Sequence, residues 1–586
     1  MRCRLTICFS LTILALCCAE GSAQTPAESG SSKAYQAGVS AMKAGDLPVA
    51  RSDFEKAVHL NPRSADAQNM LGQVLLQQGD LDDAMSHFHT LVRLRPNLAI
   101  ARAYLAQALQ AKGLLDEAIV ELRSAVDLAP QQWQAHQALG RALSLHHKTD
   151  EAIAEFKEAA QLSPQQAELH DELGSLLAQQ LRFQEAEEEF REAIKVNPDY
   201  EAGYFHLGVA LSSKGEREKA RVELEHAAKL DPQDARAWYY LGLDLEGLGK
   251  HDEALSDFEQ AAKLKPDFAP AQTSLGLLLQ CRGDPDGALK AFATVVELTP
   301  AEADAHNNLA LALLQRGDAD AAIKEFREAI KLHPDDAGFQ GNLGTAYLQK
   351  TDFETAASQF RAALKLDPNG ASYHHDLALA LKLKDDLPGA IAEWKEAIRL
   401  DPKLEDAEYS LGVTLWQSGD FPAAAEHLRQ AIQIKPDYAE AYYTLGTVLK
   451  QMNQLPEAAE ALRHAIHLDP DFAGAHTTLA AVLRQLGDTA GAAAESQAGA
   501  EMSKKKTDLQ AATFATNSGR RLLTAGDLDG SISQFRVAVR AMPTFALAHY
   551  ELGLALTQKG QKDEAAGEFR KAAELDPHLG PPSTVR

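Results

Sequence analysis

Histidines and paired carboxylates are the side chains here that could do chemistry. Six histidines, His136, His170, His306, His374, His476 and His549, sit at equivalent places along the chain: the first five are separated by whole multiples of 34 residues. Imidazole is a common metal ligand and acid–base group, but a metal site needs three or four donors that converge. These histidines are spread one to a segment, and Tyr204, Trp238 and Tyr442 occupy the same slot elsewhere. They read as bulky packing residues. His87/His89 and His146/His147 are short pairs with no third ligand nearby. Asp82-Asp83 and Glu187-Glu188-Glu189 could form acid–base pairs, but they read as solvated helix faces, where acids near a helix start suit its dipole. There is no glycine-rich phosphate loop, nucleophile elbow or HExxH. The expectation is a chain with no catalytic residue, no metal and no cofactor, hence not an enzyme.

The spacing of the histidines belongs to a larger rhythm. Prolines stand at 62, 96, 130, 164, 198, 232, 266, 300, 334, 368, 402, 436 and 470, each 34 residues after the last. The rhythm slips at Lys504 and resumes with Pro543 and Pro577; the interval from 470 to 543 is 73, two periods plus five. Counted from each proline, +10 is Gly or Ala, +22 is Ala, +26 is usually a large apolar residue such as Phe88 or Trp394, and +17 is often Gly. Offsets +6, +9, +10 and +13 share one helix face, as do +22, +25, +26 and +29. Gly at +17 suits the left-handed end of the first helix, and the proline stops the second. Each period is therefore a pair of helices of about fourteen residues, too short to stand alone in water and obliged to bury its apolar faces on its neighbours.

The 34-residue period, the Leu-Gly pair, the Ala, the aromatic and the closing Pro resemble the tetratricopeptide repeat. The resemblance spans roughly 29–577 and implies an all-α, right-handed superhelical solenoid of about sixteen helix-turn-helix repeats with a concave groove lined by first helices. The expected organisation is a signal peptide over 1–23, a short linker over 24–28, fourteen repeats over 29–504 with the last degenerate, a slip or joint over 505–509, two further repeats over 510–577 and a disordered tail over 578–586. The tail HLGPPSTVR provides no capping helix, so self-association through the uncapped last repeat is one expectation.

In the family, offsets +4, +7, +11, +14 and +15 face the groove. Two zones stand out. Phe205, Val209, Tyr239, Leu243, Leu277, Leu311, Leu314 and Leu348 would make an apolar ridge, either open to a partner or buried between adjacent first helices. His375, Lys382, Tyr409, Trp416, Tyr443, Lys450 and Arg484 would make a basic and aromatic strip suited to a peptide with acidic groups or to an acidic polysaccharide; ordinary surface variation is the alternative. Neither the Lys/Arg/Asn carboxylate clamp of chaperone-binding members nor the asparagine ladder of others is present. Cys281 falls at a groove-facing offset.

The net charge is −25, from 58 basic and 83 acidic residues, which disfavours nucleic acid as a partner. Arg2 and Arg4 precede LTICFSLTILALCC, and small residues follow, which reads as a secretory leader cut near Ala23. A lipoprotein reading would use Cys17, but Leu16 before it is not small. Only Cys281 lies beyond the leader, so the mature chain forms no internal disulfide. Taken together, the sequence points to an exported, periplasmic or secreted, non-catalytic scaffold in a bacterial envelope that binds protein segments in its groove. The alternative is a ligand- or polysaccharide-recognition arm serving a separate glycosyltransferase or polysaccharide synthase or export complex.

Overall fold

The computed structural model describes residues 26–580; the leader over 1–23 and the last residues of the tail lie outside them. The described residues form thirty-one α-helices, from α1 (Pro26–Lys43) to α31 (Lys562–Leu575), without a strand. The fold is an all-α repeat solenoid, as the periodicity predicts. One correction falls at its start: residues 26–28, expected as linker, are already helix. The chain divides into two compact bodies, residues up to Thr294 and residues from Val295 onward.

Both bodies are built by one rule. In α13 (Ala235–Gly247) and α14 (His251–Leu264), Leu241, Gly242 and Leu245 face Ala254, Phe258 and Ala261. A Cβ added at Gly242 would stand 2.6 Å from the Phe258 ring, so the aromatic at +26 lies where only a glycine backbone leaves room. Phe54, Phe88, Phe190 and Phe258 in the first body are fully buried, as are Phe326, Phe360, Trp394, Phe535 and Phe569 in the second. Burying one such ring is worth about 2–3 kcal/mol. At +17, Gly79 (φ 85°) and Gly317 (φ 91°) end their helices in the left-handed region. His147, Leu181, Thr351, Asp385 and Asn453 hold the same slot at φ 58–68°, where a side chain is strained.

The histidines are more than packing residues. In His136, His306, His374, His476 and His549, Nδ1 lies 2.6–2.7 Å from the glutamate nineteen residues on, and Nε2 lies 3.0–3.4 Å from the carbonyl of the preceding period's proline. His170 makes the same contact with Glu189 at 2.7 Å, which raises its pKa. Each clamp ties a helix pair to the turn before it. Other residue types fill the same frame: Gln68 with His87 and Pro62, and Arg102 with Glu121.

The slip over 505–509 is not the joint expected from the sequence. It lies within one unbroken helix, α28 (Thr489–Thr524), of 36 residues. The stretch MSKKKTDL contains neither Pro nor Gly and is rich in good helix formers. Lys504 stands where the period calls for a proline, so nothing stops the helix there. The first half of α28 packs on α27 (Ala473–Gln485), with Gly499 against Thr477; its second half packs on α29 (Leu528–Ala541), with Gly519 against Phe535. The shared helix is why sixteen helix pairs need only thirty-one helices.

Candidate partner-binding site

The predicted ridge is divided between the two bodies. In the first, Phe205 and Val209 lie on α11 (Glu201–Ser213), Tyr239 and Leu243 on α13, and Leu277 on α15 (Ala269–Cys281). Phe205 is buried; Val209, Tyr239 and Leu243 are half-buried against the core; Leu277 alone is open, at 43% exposure. The rings interlock: Tyr239 meets Tyr240 at 5.3 Å and Phe268 at 5.1 Å, edge to face, and Phe205 meets Tyr240 at 5.6 Å. Arg236 lies 4.8 Å above Phe205 and is held there by Asp234, Nη2 to Oδ2 2.8 Å. Most of the ridge in this body is therefore packing between neighbouring first helices. In the second body, Leu311, Leu314 and Leu348 are each half-buried.

The strip lies wholly in the second body, on α21 (Ala371–Leu383), α23 (Glu405–Gln417), α25 (Ala439–Gln451) and α27. Its N-terminal end corrects the sequence reading. His375 packs on Trp394, with ring centroids 6.4 Å apart, and its Nδ1 is buried without a hydrogen bond; burial pulls its pKa down, so it adds no cation at neutral pH. Lys382 lies 5.8 Å over the Trp394 ring, half-buried, and burial lowers its pKa too. Acids also face this end: burial pushes Asp376 up to about 6, and Asp406 accepts a hydrogen bond from Tyr438 at 3.1 Å. Half-buried Lys450 and exposed Arg484 have no ion-pair partner among the described residues. Tyr409 packs against Tyr438 with centroids 4.9 Å apart, Tyr443 against Phe472 at 4.8 Å, both pairs tilted, and Trp416 donates its Nε1–H to Gln451 at 2.7 Å. These contacts hold the aromatic faces in place before any ligand arrives, which lowers the ordering cost of binding.

The partners Tyr438, Phe472 and Phe268 were not among the sequence candidates. The signal was available: each lies 29 residues after a +7 aromatic, at the residue just before the next first helix. Asp257 is a second omission. It holds the +25 slot usually paired with a +6 histidine, but +6 here is Trp238, whose Nε1–H goes to the Pro232 carbonyl at 3.1 Å. Burial, with Glu225 and Glu253 nearby, pushes Asp257 up to about 7. Cys281 is exposed and free. Among the described residues no cluster of three or more His, Cys, Asp or Glu is placed to hold a metal, and no helix is long and apolar enough to cross a membrane.

Stacked helix pairs presenting side chains from successive first helices define a class, the all-α repeat scaffold that binds other proteins. The chain belongs to the tetratricopeptide repeat family. Models described as tetratricopeptide repeat or TPR repeat match residues 35–143, 176–268, 273–472 and 516–579. The largest unmatched stretch inside the array, 473–515, contains the first half of α28 and the slip. No curated protein matches significantly. Among solved structures, Cut9 in the APC/C hetero-tetramer Cut9-Hcn1 is 17% identical, over 72% of this chain and 96% of that one, at TM-score 0.37. Yeast Tom70 is 17% identical over 72% and 96%, at 0.33, and MamA 28% identical over 28% and 96%, at 0.27. None of these scores is high enough for one fold to stand for another, so what those proteins do is not carried over.

Proposed function

We propose that the chain is an exported scaffold of the bacterial envelope that holds extended partner segments carrying carboxylates along α23, α25 and α27. The observation that supports this reading is the pair of unpaired cations, Lys450 and Arg484, beside the braced faces of Tyr409, Tyr443 and Trp416, on a chain of net charge −25. In so acidic a molecule, unpaired cations attract anionic ligands rather than neighbouring copies at random. Flanking rings add stacking and exclude water, which strengthens each ion pair. Export rests on the N-terminal residues, and amino-terminal sequencing of the secreted chain tests it, with Gln24 expected first.

The test is binding of fluorescent acidic peptides, of neutral peptides of the same length, and of an acidic glycan, at low and high salt. Salt-sensitive binding of the acidic peptide, weakened about tenfold by Lys450→Glu with Arg484→Glu, supports the reading. Preference for the glycan moves the chain to the polysaccharide-recognition role. Binding unaffected by the double variant removes this site.

A further inference from the structure

The contact between successive repeats has a fixed form in this chain, and α28 breaks it. At offset +5 each first helix meets the second helix before it. The residues there include Ala67, Leu169, Ala237, Ala441 and Ala548, all 0% exposed. Offset +12 is buried as well, for example Val74, Ala346 and Val482 at 0%. Counting back 34 from Pro543, the same offsets after the slip fall on Phe514 and Arg521, and both are exposed, Phe514 at 70%. The face that Phe514 should meet is bare too. Offset +23 is at least half-buried throughout the array except at Ala493, just before the slip, and at Ala566 in the last repeat. Ala500 is likewise exposed.

A junction within the same chain shows what these faces make when joined. Phe339, also at +5, is 6% exposed and packs on Ala329 and Ile330 of the preceding second helix. The equivalents for Phe514 are Gly499 and Ala500. They lie on the same straight helix as Phe514, fourteen or fifteen residues away, or about 21–23 Å along the axis, so the chain cannot make this contact with itself.

We propose that the contact is made with a second copy. Two chains lay their α28 helices antiparallel, each placing its Phe514 on the Ala493–Ala500 face of the other. The interface is isologous: one operation satisfies both bare faces of α28. A turn at 504–509 would have joined these faces within one chain; the unbroken helix exports the same contact to a partner. One charge juxtaposition opposes it. Elsewhere +12 meets the +14 residue of the preceding repeat, as Asp244 accepts from Ser212 at 2.7 Å. Here those offsets are Arg521 and Arg484, so the dimer tightens with added salt.

The test is sedimentation of the full chain, whose mass should double between about 1 and 100 µM. Phe514→Glu, at an exposed position, should abolish the doubling and leave the circular dichroism unchanged. Arg521→Glu should tighten the dimer about threefold by pairing with Arg484. With the native cysteines replaced by Ser, oxidised Ala500→Cys with Phe514→Cys should give covalent dimers. A chain that stays monomeric throughout overturns the proposal, as does a dimer indifferent to Phe514→Glu. An intrachain bridge in the cysteine variant overturns it as well, because the helix would then have bent and closed on itself.

Discussion

The ridge of the first body and the strip of the second use the same offsets in different surroundings. Phe205 and Tyr239 hold +7 on α11 and α13; Tyr409 and Tyr443 hold +7 on α23 and α25. In the first region an additional ring, Tyr240, locks the others edge to face, and Arg236 over Phe205 is neutralised by Asp234. In the second, each tyrosine has one ring partner in a tilted contact, and Lys450 and Arg484 keep their charge unpaired. An offset determines which way a side chain leaves the helix. One region pairs its cation and interlocks its rings; the other leaves cations unpaired beside rings that are buried to a similar degree.

The largest test of this contrast is a pair of variants in the first body. Leu243→Asp places a carboxylate against the core and should cost about 3 kcal/mol in urea unfolding, whereas Leu277→Asp should stay within about 0.5 kcal/mol. Equal effects would mean that the ridge is one surface and the contrast with the strip is wrong.

A smaller effect concerns Asp257, which faces Glu225 on the helix Arg217–Leu230 and Glu253 on its own helix, with Lys229 also lining the same cavity of about 360 Å³. Its folded pKa is raised, to about 7. The protonated form is favoured by folding, so its contribution is full below the unfolded value near 4 and is lost as pH rises through 7. Asp257→Asn should therefore stabilise the first body at pH 8, by roughly 1 kcal/mol after solvent screening, and give no advantage at pH 4. Thermal melts at the two values decide it, and a gain independent of pH would refute the assignment.

The smallest effect should not distinguish the bodies at all. Leu181 in the first and Thr351 in the second hold the left-handed slot at φ 58° and 61°. Leu181→Gly and Thr351→Gly should each stabilise by about 1 kcal/mol, because the backbone rule is common to both. A gain at one site alone would show that the repeats differ below the level of side-chain packing.

Most of the fold was legible in the text of the chain. The 34-residue spacing, the small residues at +10 and +22 and the ring at +26 state a helix pair, and the pair states a stack, because neither helix can bury its face alone. The histidine clamps were half legible: the regular slot was visible, but the glutamate nineteen residues on and the proline carbonyl matter only once the helices are placed. His375 and Lys382 show the limit. As letters they are cations; against Trp394 one is a buried ring with an unsatisfied nitrogen and the other a lysine whose charge burial disfavours. The slip shows it from the other side. Sequence revealed five extra residues, but only the packed structure decided that they prolong a helix and leave Phe514 bare. Period and residue size are local properties and are written in order along the chain. Burial, charge state and the pairing of faces are set by neighbours distant in sequence, and they exist only after the chain has folded.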